Sequence, residues 1–486
     1  MSLARRTAHG AAWNFATVLA ERAAGFAILA LLLRVVPARD VGLIAIASAM
    51  SELAKVVANS GAGEQVQACP GDRAVEAGAF WSQLLTALLF MAGLWLLAPW
   101  AARLYHLPLL KAVLRVMALS VVMTCFLIVP SARLSSQFRF RSIGLISLGS
   151  TLLGGLCALP LAYAGQGVAA LVAQRLVGVA FYALVASASA RWVPPRPPGW
   201  AVLRAGFAFS RPLMEAAFVD FIALTGYVML LGLLLPLVAL AQFRIAQRLL
   251  EVLQEVAFLP ARKLVLPVLV AVRDDPPRRA LVLRHILDAL CLLIFFVSAV
   301  SGAAARPLML LMFGPGWAGA VPVFTILSLV APSLALYGII SPLLTALGRV
   351  GLVSWYAWVN ALSMLASCCL AAPFGLAALA WALAVRGAAS SLLFLLALRQ
   401  GQRDLAWPLF RLLLVPLAGL LGARLAGWAV TPLLPAALAQ ALILQAGIAA
   451  LSFILIVLAL APARLRALAR RLRLALFPLP PRPHAG

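Results

Sequence analysis

Eleven ionisable side chains sit inside stretches that are otherwise apolar enough to cross a membrane. Six are acidic: Glu21, Glu52, Glu215, Asp220, Glu251 and Glu255. Five are basic: Arg22, Lys55, Arg211, Arg244 and Arg248. A charge at the bilayer centre costs roughly 2.5–3.5 kcal/mol on insertion scales, so charges kept there face a wet cavity or a partner. Guanidinium groups suit a phosphate or pyrophosphate, which they grip bidentately. Carboxylates suit sugar hydroxyls, a proton or a coupling cation. Arg244, Arg248, Glu251 and Glu255 are spaced i, i+4, i+7 and i+11, which places them on one face of a helix, and Gln242, Gln247 and Gln254 widen that face. Glu52 and Lys55 share a face in the same way. The competing reading is a self-satisfied ladder in which these groups pair with one another and glue two helices.

The composition names the scaffold. Of 486 residues, 64% are hydrophobic and 11% charged, and the mean hydropathy is +1.05. Soluble domains carry about 25% charged residues, so a soluble enzyme, a disordered regulator and a secreted disulfide scaffold are excluded. A spanning helix needs about 20 apolar residues. The sequence parses into fourteen such runs, near 10–33, 41–62, 78–102, 109–130, 143–163, 167–190, 205–231, 235–262, 281–304, 319–346, 351–372, 374–398, 407–428 and 436–461. Pro and Gly mark many of the breaks, among them Pro37, Pro130, Gly165, Pro236 and Pro373. The fold expected is an all-α polytopic membrane protein.

The eleven charges fall on the first, second, seventh and eighth runs alone. Those runs are related by an internal repeat. Glu21, Pro37 and Glu52 recur as Asp220, Pro236 and Glu251, each 199 residues later. Gly167-Val-Ala-Ala-Leu171 recurs as Gly375-Leu-Ala-Ala-Leu379. The pattern predicts two pseudo-symmetric six-helix lobes at 1–200 and 201–402, two additional helices at 403–462, and a basic tail at 463–486. Six helices per copy is even, so the pseudo-two-fold axis lies along the membrane normal. A water-filled cavity between the lobes accounts for charge converging on repeat-related helices.

The 39 Lys and Arg against 14 Asp and Glu give a net charge of +25. The basic residues lie in short loops between apolar runs, which points to membrane topology and away from nucleic acid. With the N-terminus inside, 25 basic residues fall on inside segments and 5 outside. That bias puts both termini in the cytoplasm. The segment Ala463–Arg473 reads as a basic amphipathic stretch on the cytoplasmic leaflet. The first run carries Glu21 and Arg22, which makes it a poor cleavable signal and a retained helix. Arg115, Arg175, Arg386 and Arg424 stand alone on other runs and are expected to snorkel to an interface.

No catalytic constellation competes. The sequence has no Gly-x-Ser-x-Gly, no phosphate-binding Gly-rich loop with a Lys and no His-Glu-x-x-His. Its six cysteines show no C-x-x-C spacing and its four histidines are scattered, so no metal site is expected. No cofactor is implied beyond a coupling proton or sodium ion.

Several stretches carry a family resemblance: Gly10-Ala-Ala-Trp13, Pro37-Ala-Arg-Asp-Val-Gly42, Phe138-Arg-Phe-Arg141, Gly165-Gln-Gly167, Phe313-Gly-Pro-Gly-Trp317 and Leu347-Gly-Arg349. In that order and spacing, over residues from about 5 to 400, the chain resembles the polysaccharide transporter (oligosaccharide flippase) family of the multidrug/oligosaccharidyl-lipid/polysaccharide exporter superfamily. The resemblance implies two lobes facing a cavity that opens alternately to each side of the bacterial inner membrane. It implies cargo of polyprenyl-diphosphate-linked oligosaccharide, moved to the periplasmic leaflet for exopolysaccharide or lipopolysaccharide synthesis. A polysaccharide polymerase and a chain-length regulator become plausible partners beside membrane lipids. Arg22, Arg211, Arg244, Arg248 and Lys55 would attract the diphosphate. The six carboxylates would contact sugars or carry the coupling ion. The rival readings are a cation-coupled drug antiporter of the same superfamily and a membrane polysaccharide polymerase; the short outside loops argue against the polymerase.

Overall fold

A computed structural model describes the backbone of residues 3–59, 61–262, 276–330, 333, 350–401 and 403–462. Among the described residues every regular element is helical. The helices fall on the apolar runs, commonly within three residues of the expected ends, because each run stops where Pro, Gly or a charged loop follows. The tenth run is the exception: its start is helical at Ala320–Leu327, and residues 334–349 lie outside the described residues. Among the described residues, eight helices are long and apolar enough to span a bilayer, or nine if Asp288–Ala303 and Ala305–Phe313, which meet at 74°, form one broken span. A count of fourteen spans therefore rests on the sequence.

The chain forms two compact units. The first comprises Met1–Arg244, Phe313–Trp317 and Ala357–Leu376. It contains α1 (Leu3–Val35), α2 (Ala38–Asn59), the short α3 (Ala62–Ala68) and α4 (Arg73–Leu104). Then come α5 (Pro108–Ser136), α6 (Phe140–Tyr163), α7 (Gly167–Ala190), α8 (Trp200–Phe221), α9 (Tyr227–Leu234) and the start of α10 (Leu237–Arg262). Its core is built largely from small residues. Ala54, Ala58, Ala79, Ala87, Ala118 and Ala132 pack with Phe80, Val121, Leu134 and Trp192. Without a hydrophobic drive between lipid-bathed helices, close backbone approach supplies the packing energy. Gly42 of α2 meets the Leu237 carbonyl so closely that a Cβ would overlap it. Asp72 caps α4, its Oδ1 accepting from the Ala74 amide at 2.8 Å.

Two aromatic anchors tie distant chain segments into this unit. The indole of Trp81 donates to the Pro195 carbonyl at 2.9 Å, and the Phe80 ring meets Trp192 edge-on at 5.1 Å. Together they hold the extended connector from Trp192 to Gly199 that leads into α8. Trp317, 2% exposed, donates to the Leu33 carbonyl at 2.8 Å, and Phe313 packs edge-on against Phe26 at 5.8 Å. The Phe313–Trp317 segment thus docks on α1.

The second unit comprises Ile245–Met312, Ala318–Tyr356 and Ala377–Gly486. It holds the rest of α10, then α11 (Pro276–Ala303), α12 (Ala305–Phe313), α13 (Ala320–Leu327), part of α14 (Val350–Ala371), α15 (Leu376–Gly401), α16 (Arg403–Ala429) and α17 (Leu438–Leu460). Its described core joins α11, α16 and α17 through Cys291, Phe295, Ala299, Leu420, Ala423, Ala449, Phe453 and Val457. Gly419 lies against Phe453, and Gly427 against Ala303. The last two helices are thus packed on α11 by the same small-residue logic.

Candidate functional site

The eleven candidate charges occupy α1, α2, α8 and α10, as the run boundaries require. On α2, Lys55 Nζ lies 2.6 Å from Glu52 Oε2; the Lys55 side chain is 15% exposed and that of Glu52 is 43% exposed. On α8, Arg211 Nε donates to Glu215 Oε1 at 3.1 Å, and both side chains are largely exposed. Asp220 is exposed at the end of the same helix. On α1, Arg22 is exposed and Glu21 is half-buried, within electrostatic range of Tyr182. Glu21, Arg22, Glu52, Lys55, Arg211, Glu215, Asp220 and Arg244 all belong to the first unit; Arg248, Glu251 and Glu255 belong to the second.

Charges of α2 and α8 fall at matched heights along the two helices. Gly61, at the end of α2, is in close contact with Ser210 of α8, and only the missing Cβ permits it, since its φ is +97°. Counting 1.5 Å per residue away from that anchor, Lys55 and Glu215 lie about 8–9 Å along their helices. Glu52 and Asp220 lie about 14–15 Å along.

Between residues 240 and 255, α10 sets a polar stripe against buried apolar positions. Leu240, Ala241, Phe243, Ile245, Ala246, Leu249 and Leu250 are buried. Gln242, Arg244, Gln247, Arg248, Glu251, Gln254 and Glu255 are half-buried. Within the stripe, Arg248 Nη1 donates to Glu251 Oε2 at 3.1 Å. Arg244 Nη1 donates instead to the Tyr227 hydroxyl of α9 at 3.3 Å. The pairing alternative raised by the spacing is thus realised at three places, each within one helix. In two of the three pairs the bond engages one edge of the guanidinium and leaves other N–H donors for an incoming oxyanion.

A neutral polar cluster lies one turn beyond Lys55, and a search restricted to charges misses it. Asn59 Nδ2 donates to the Lys55 carbonyl at 2.7 Å and to Thr124 Oγ1 at 3.1 Å, while Gln83 Nε2 donates to Asn59 Oδ1. Gln83 is 3% exposed. An amide pair within apolar runs was the available signal. Arg424 is a second polar group that finds tertiary partners: its Nη2 donates to the carbonyls of Ser298 and Thr325, each at 3.3 Å, and to Ser328 Oγ. The missing Cβ of Gly302 leaves the space that this guanidinium fills. Arg115 lies over the Trp95 ring at 5.0 Å.

Among the described residues no group of three or more His, Cys, Asp or Glu has metal-binding geometry. The charged faces offer oxyanion donors and ion-pair carboxylates, a pattern for holding a polar ligand.

The family model for polysaccharide biosynthesis proteins matches residues 29–322, well over half of the chain, including α2, α8, α10 and the Phe313–Trp317 segment. The chain belongs to the polysaccharide biosynthesis protein family. A protein of similar sequence is the succinoglycan biosynthesis transport protein ExoT of Rhizobium meliloti (strain 1021), 26% identical over 284 residues. The matched stretch spans 58% of this chain and 58% of that relative's length. In fold, this polysaccharide biosynthesis protein resembles the lipid II flippase MurJ in its inward closed conformation, with a TM-score of 0.73, 11% identity and coverage of 94% of this chain and 99% of that one. It also resembles an inward-facing multidrug resistance MATE transporter of the MOP superfamily, with a TM-score of 0.58, 12% identity and coverage of 80% and 94%. At such identities the likeness speaks for the fold alone: an all-helical, multi-pass membrane architecture.

Proposed function

We propose that this protein is a flippase that moves polyprenyl-diphosphate-linked oligosaccharide from the cytoplasmic to the periplasmic leaflet of the bacterial inner membrane, feeding exopolysaccharide or lipopolysaccharide synthesis. The observation that carries the reading is the restriction of candidate charges to α1, α2, α8 and α10 within a polysaccharide biosynthesis family member. Arg22, Lys55, Arg211, Arg244 and Arg248 attract the diphosphate; Glu21, Glu52, Glu215, Asp220, Glu251 and Glu255 contact sugars or carry the coupling ion. Two ion pairs give a linkage between cargo and ion. When a diphosphate takes the Arg211 or Arg248 guanidinium, Glu215 or Glu251 is released to accept a proton or a sodium ion. Two repeated lobes, 1–200 and 201–402, rock to change access, with 403–462 added outside the repeat and the 463–486 tail, like both termini, in the cytoplasm. The named relative's transport role in succinoglycan biosynthesis supports a cargo from a polysaccharide pathway, and a polymerase and a chain-length regulator are the partners proposed with it.

Lipid analysis of a deletion strain tests the reading. A polyprenyl-diphosphate oligosaccharide should accumulate on the cytoplasmic leaflet with loss of surface polymer. An unchanged lipid pool with new sensitivity to organic cations would instead support a cation-coupled antiporter, a reading that the likeness to a MATE transporter favours.

A further inference from the structure

Arg424 is a part-buried cation on an apolar helix. No ion pair reaches it among the described residues. A guanidinium carries five N–H donors. Its Nη2 serves the Ser298 and Thr325 carbonyls and Ser328 Oγ, whereas Nη1 finds no protein acceptor among the described residues and the buried Nε has none. Around it stand other unmet groups. The Ser301 hydroxyl is buried without a partner on a residue 7% exposed. Ser301 follows Ser298 by three positions, hence on the same helix face, and precedes Gly302, which touches the guanidinium. Gln445 of α17, 5% exposed, donates to the Gly427 carbonyl at 3.0 Å, and its amide oxygen has no partner.

The depth of this group is informative. Arg424 lies five residues before the end of α16, Ser298 five before the end of α11, and Thr325 five after the start of α13. All three are therefore about 7–8 Å in from the same membrane-facing ends. The hydrocarbon core is about 30 Å thick within a bilayer of about 40–45 Å, so a helix of 27 residues places Arg424 at the boundary between acyl chains and headgroups. Lipid phosphates begin a few ångströms further out, in the headgroup layer. Leu421, Leu425 and Trp428 on α16 are exposed, giving the site a lipid-facing rim.

We propose that Arg424, with the Ser301 hydroxyl, binds the phosphate of a membrane lipid at the ends of α11 and α16. The ligand class is a phosphate ester on an apolar tail, whether a bulk anionic phospholipid or an isoprenoid phosphate. The Gln445 amide oxygen accepts from a headgroup hydroxyl or a bridging water. In the orientation proposed above, this is the periplasmic leaflet.

Native mass spectrometry of the full chain tests the site with three probes: phosphatidylglycerol, undecaprenyl phosphate and diacylglycerol. An Arg244→Ala/Arg248→Ala background removes the other proposed phosphate-binding arginines on α10. Both phosphate lipids should be retained about tenfold better than diacylglycerol, with R424Q losing that preference, S301A weakening it, and R424K keeping part of it. Selective retention of undecaprenyl phosphate identifies the isoprenoid as occupant; equal retention identifies bulk lipid. Unchanged retention in R424Q overturns the proposal. If R424Q fails to fold, S301A decides, because it removes a hydroxyl that no protein group uses, and unchanged retention there overturns the hydroxyl's part. No flipping is measured, so failure of the transport reading leaves this result unmoved.

Discussion

Trp317 donates its indole N–H to the carbonyl of Leu33, bridging 284 positions of sequence at 2.8 Å. Both partners are buried, so replacement leaves a carbonyl unsatisfied. Trp317→Phe should cost about 1–3 kcal/mol, read as a lower midpoint in a detergent thermal-unfolding assay. An unchanged midpoint would show that the bond contributes nothing.

The Lys55–Glu52 pair predicts a rescue. Glu52→Gln leaves the mostly buried ammonium of Lys55 without its partner at 2.6 Å. Stability should fall by about 1–2 kcal/mol, discounted because the Glu52 side chain is 43% exposed. Glu52→Gln/Lys55→Met should recover much of the loss, measured as a double-mutant cycle.

Arg211 and Glu215 are largely exposed, so their bond is worth under about 1 kcal/mol. Arg211→Ala should leave the thermal midpoint nearly unchanged. If the guanidinium binds cargo, the same variant should lower oligosaccharide flipping in reconstituted vesicles. A fall in stability that parallels the fall in transport would assign Arg211 a structural role.

Arg244→Ala/Arg248→Ala at normal expression should abolish export of the lipid-linked sugar, scored as lost surface polymer. Full export in that variant sinks the assignment of the diphosphate to α10.

Gly42 and Gly93 make a matched pair. A Cβ at Gly42 runs into the Leu237 backbone, whereas nothing lies within 4 Å of one at Gly93. Gly42→Ala should destabilise by about 1–3 kcal/mol, and Gly93→Ala should be neutral or stabilising by up to about 1 kcal/mol. Paired thermal midpoints check both.

Much of this architecture is legible in the chain because membrane insertion makes apolar length and loop punctuation nearly sufficient. The run 167–190 coincides with α7, since Gly165 at φ +78° ends the preceding turn and Arg191 in the left-handed region ends the helix. The i+3 and i+4 charge pairs were equally readable, because helical spacing alone brings Arg248 to Glu251. Tertiary partners were not. Nothing in the periodicity says that Arg424 turns toward Ser328, that Asn59 and Gln83 meet, or that Trp317 returns to α1. Those depend on which small residue lets which backbone approach, and an Ala- and Gly-rich sequence offers many equivalent choices.

The connector before α8 bears on how far that helix can swing. A proline-rich stretch between bundles is commonly treated as a slack tether. Here Trp192 is 5% exposed in the first unit's core, and the Pro195 carbonyl is held by Trp81. The stretch is therefore a splint up to Pro195, and just past Gly199, whose surroundings are open, α8 is held again, by Val202 against Gly78 and Gly206 against Ser82 of α4. An epitope or reporter inserted at 192–195 should wrench the core apart, while one placed at the open turn of Gly71 should be carried without harm.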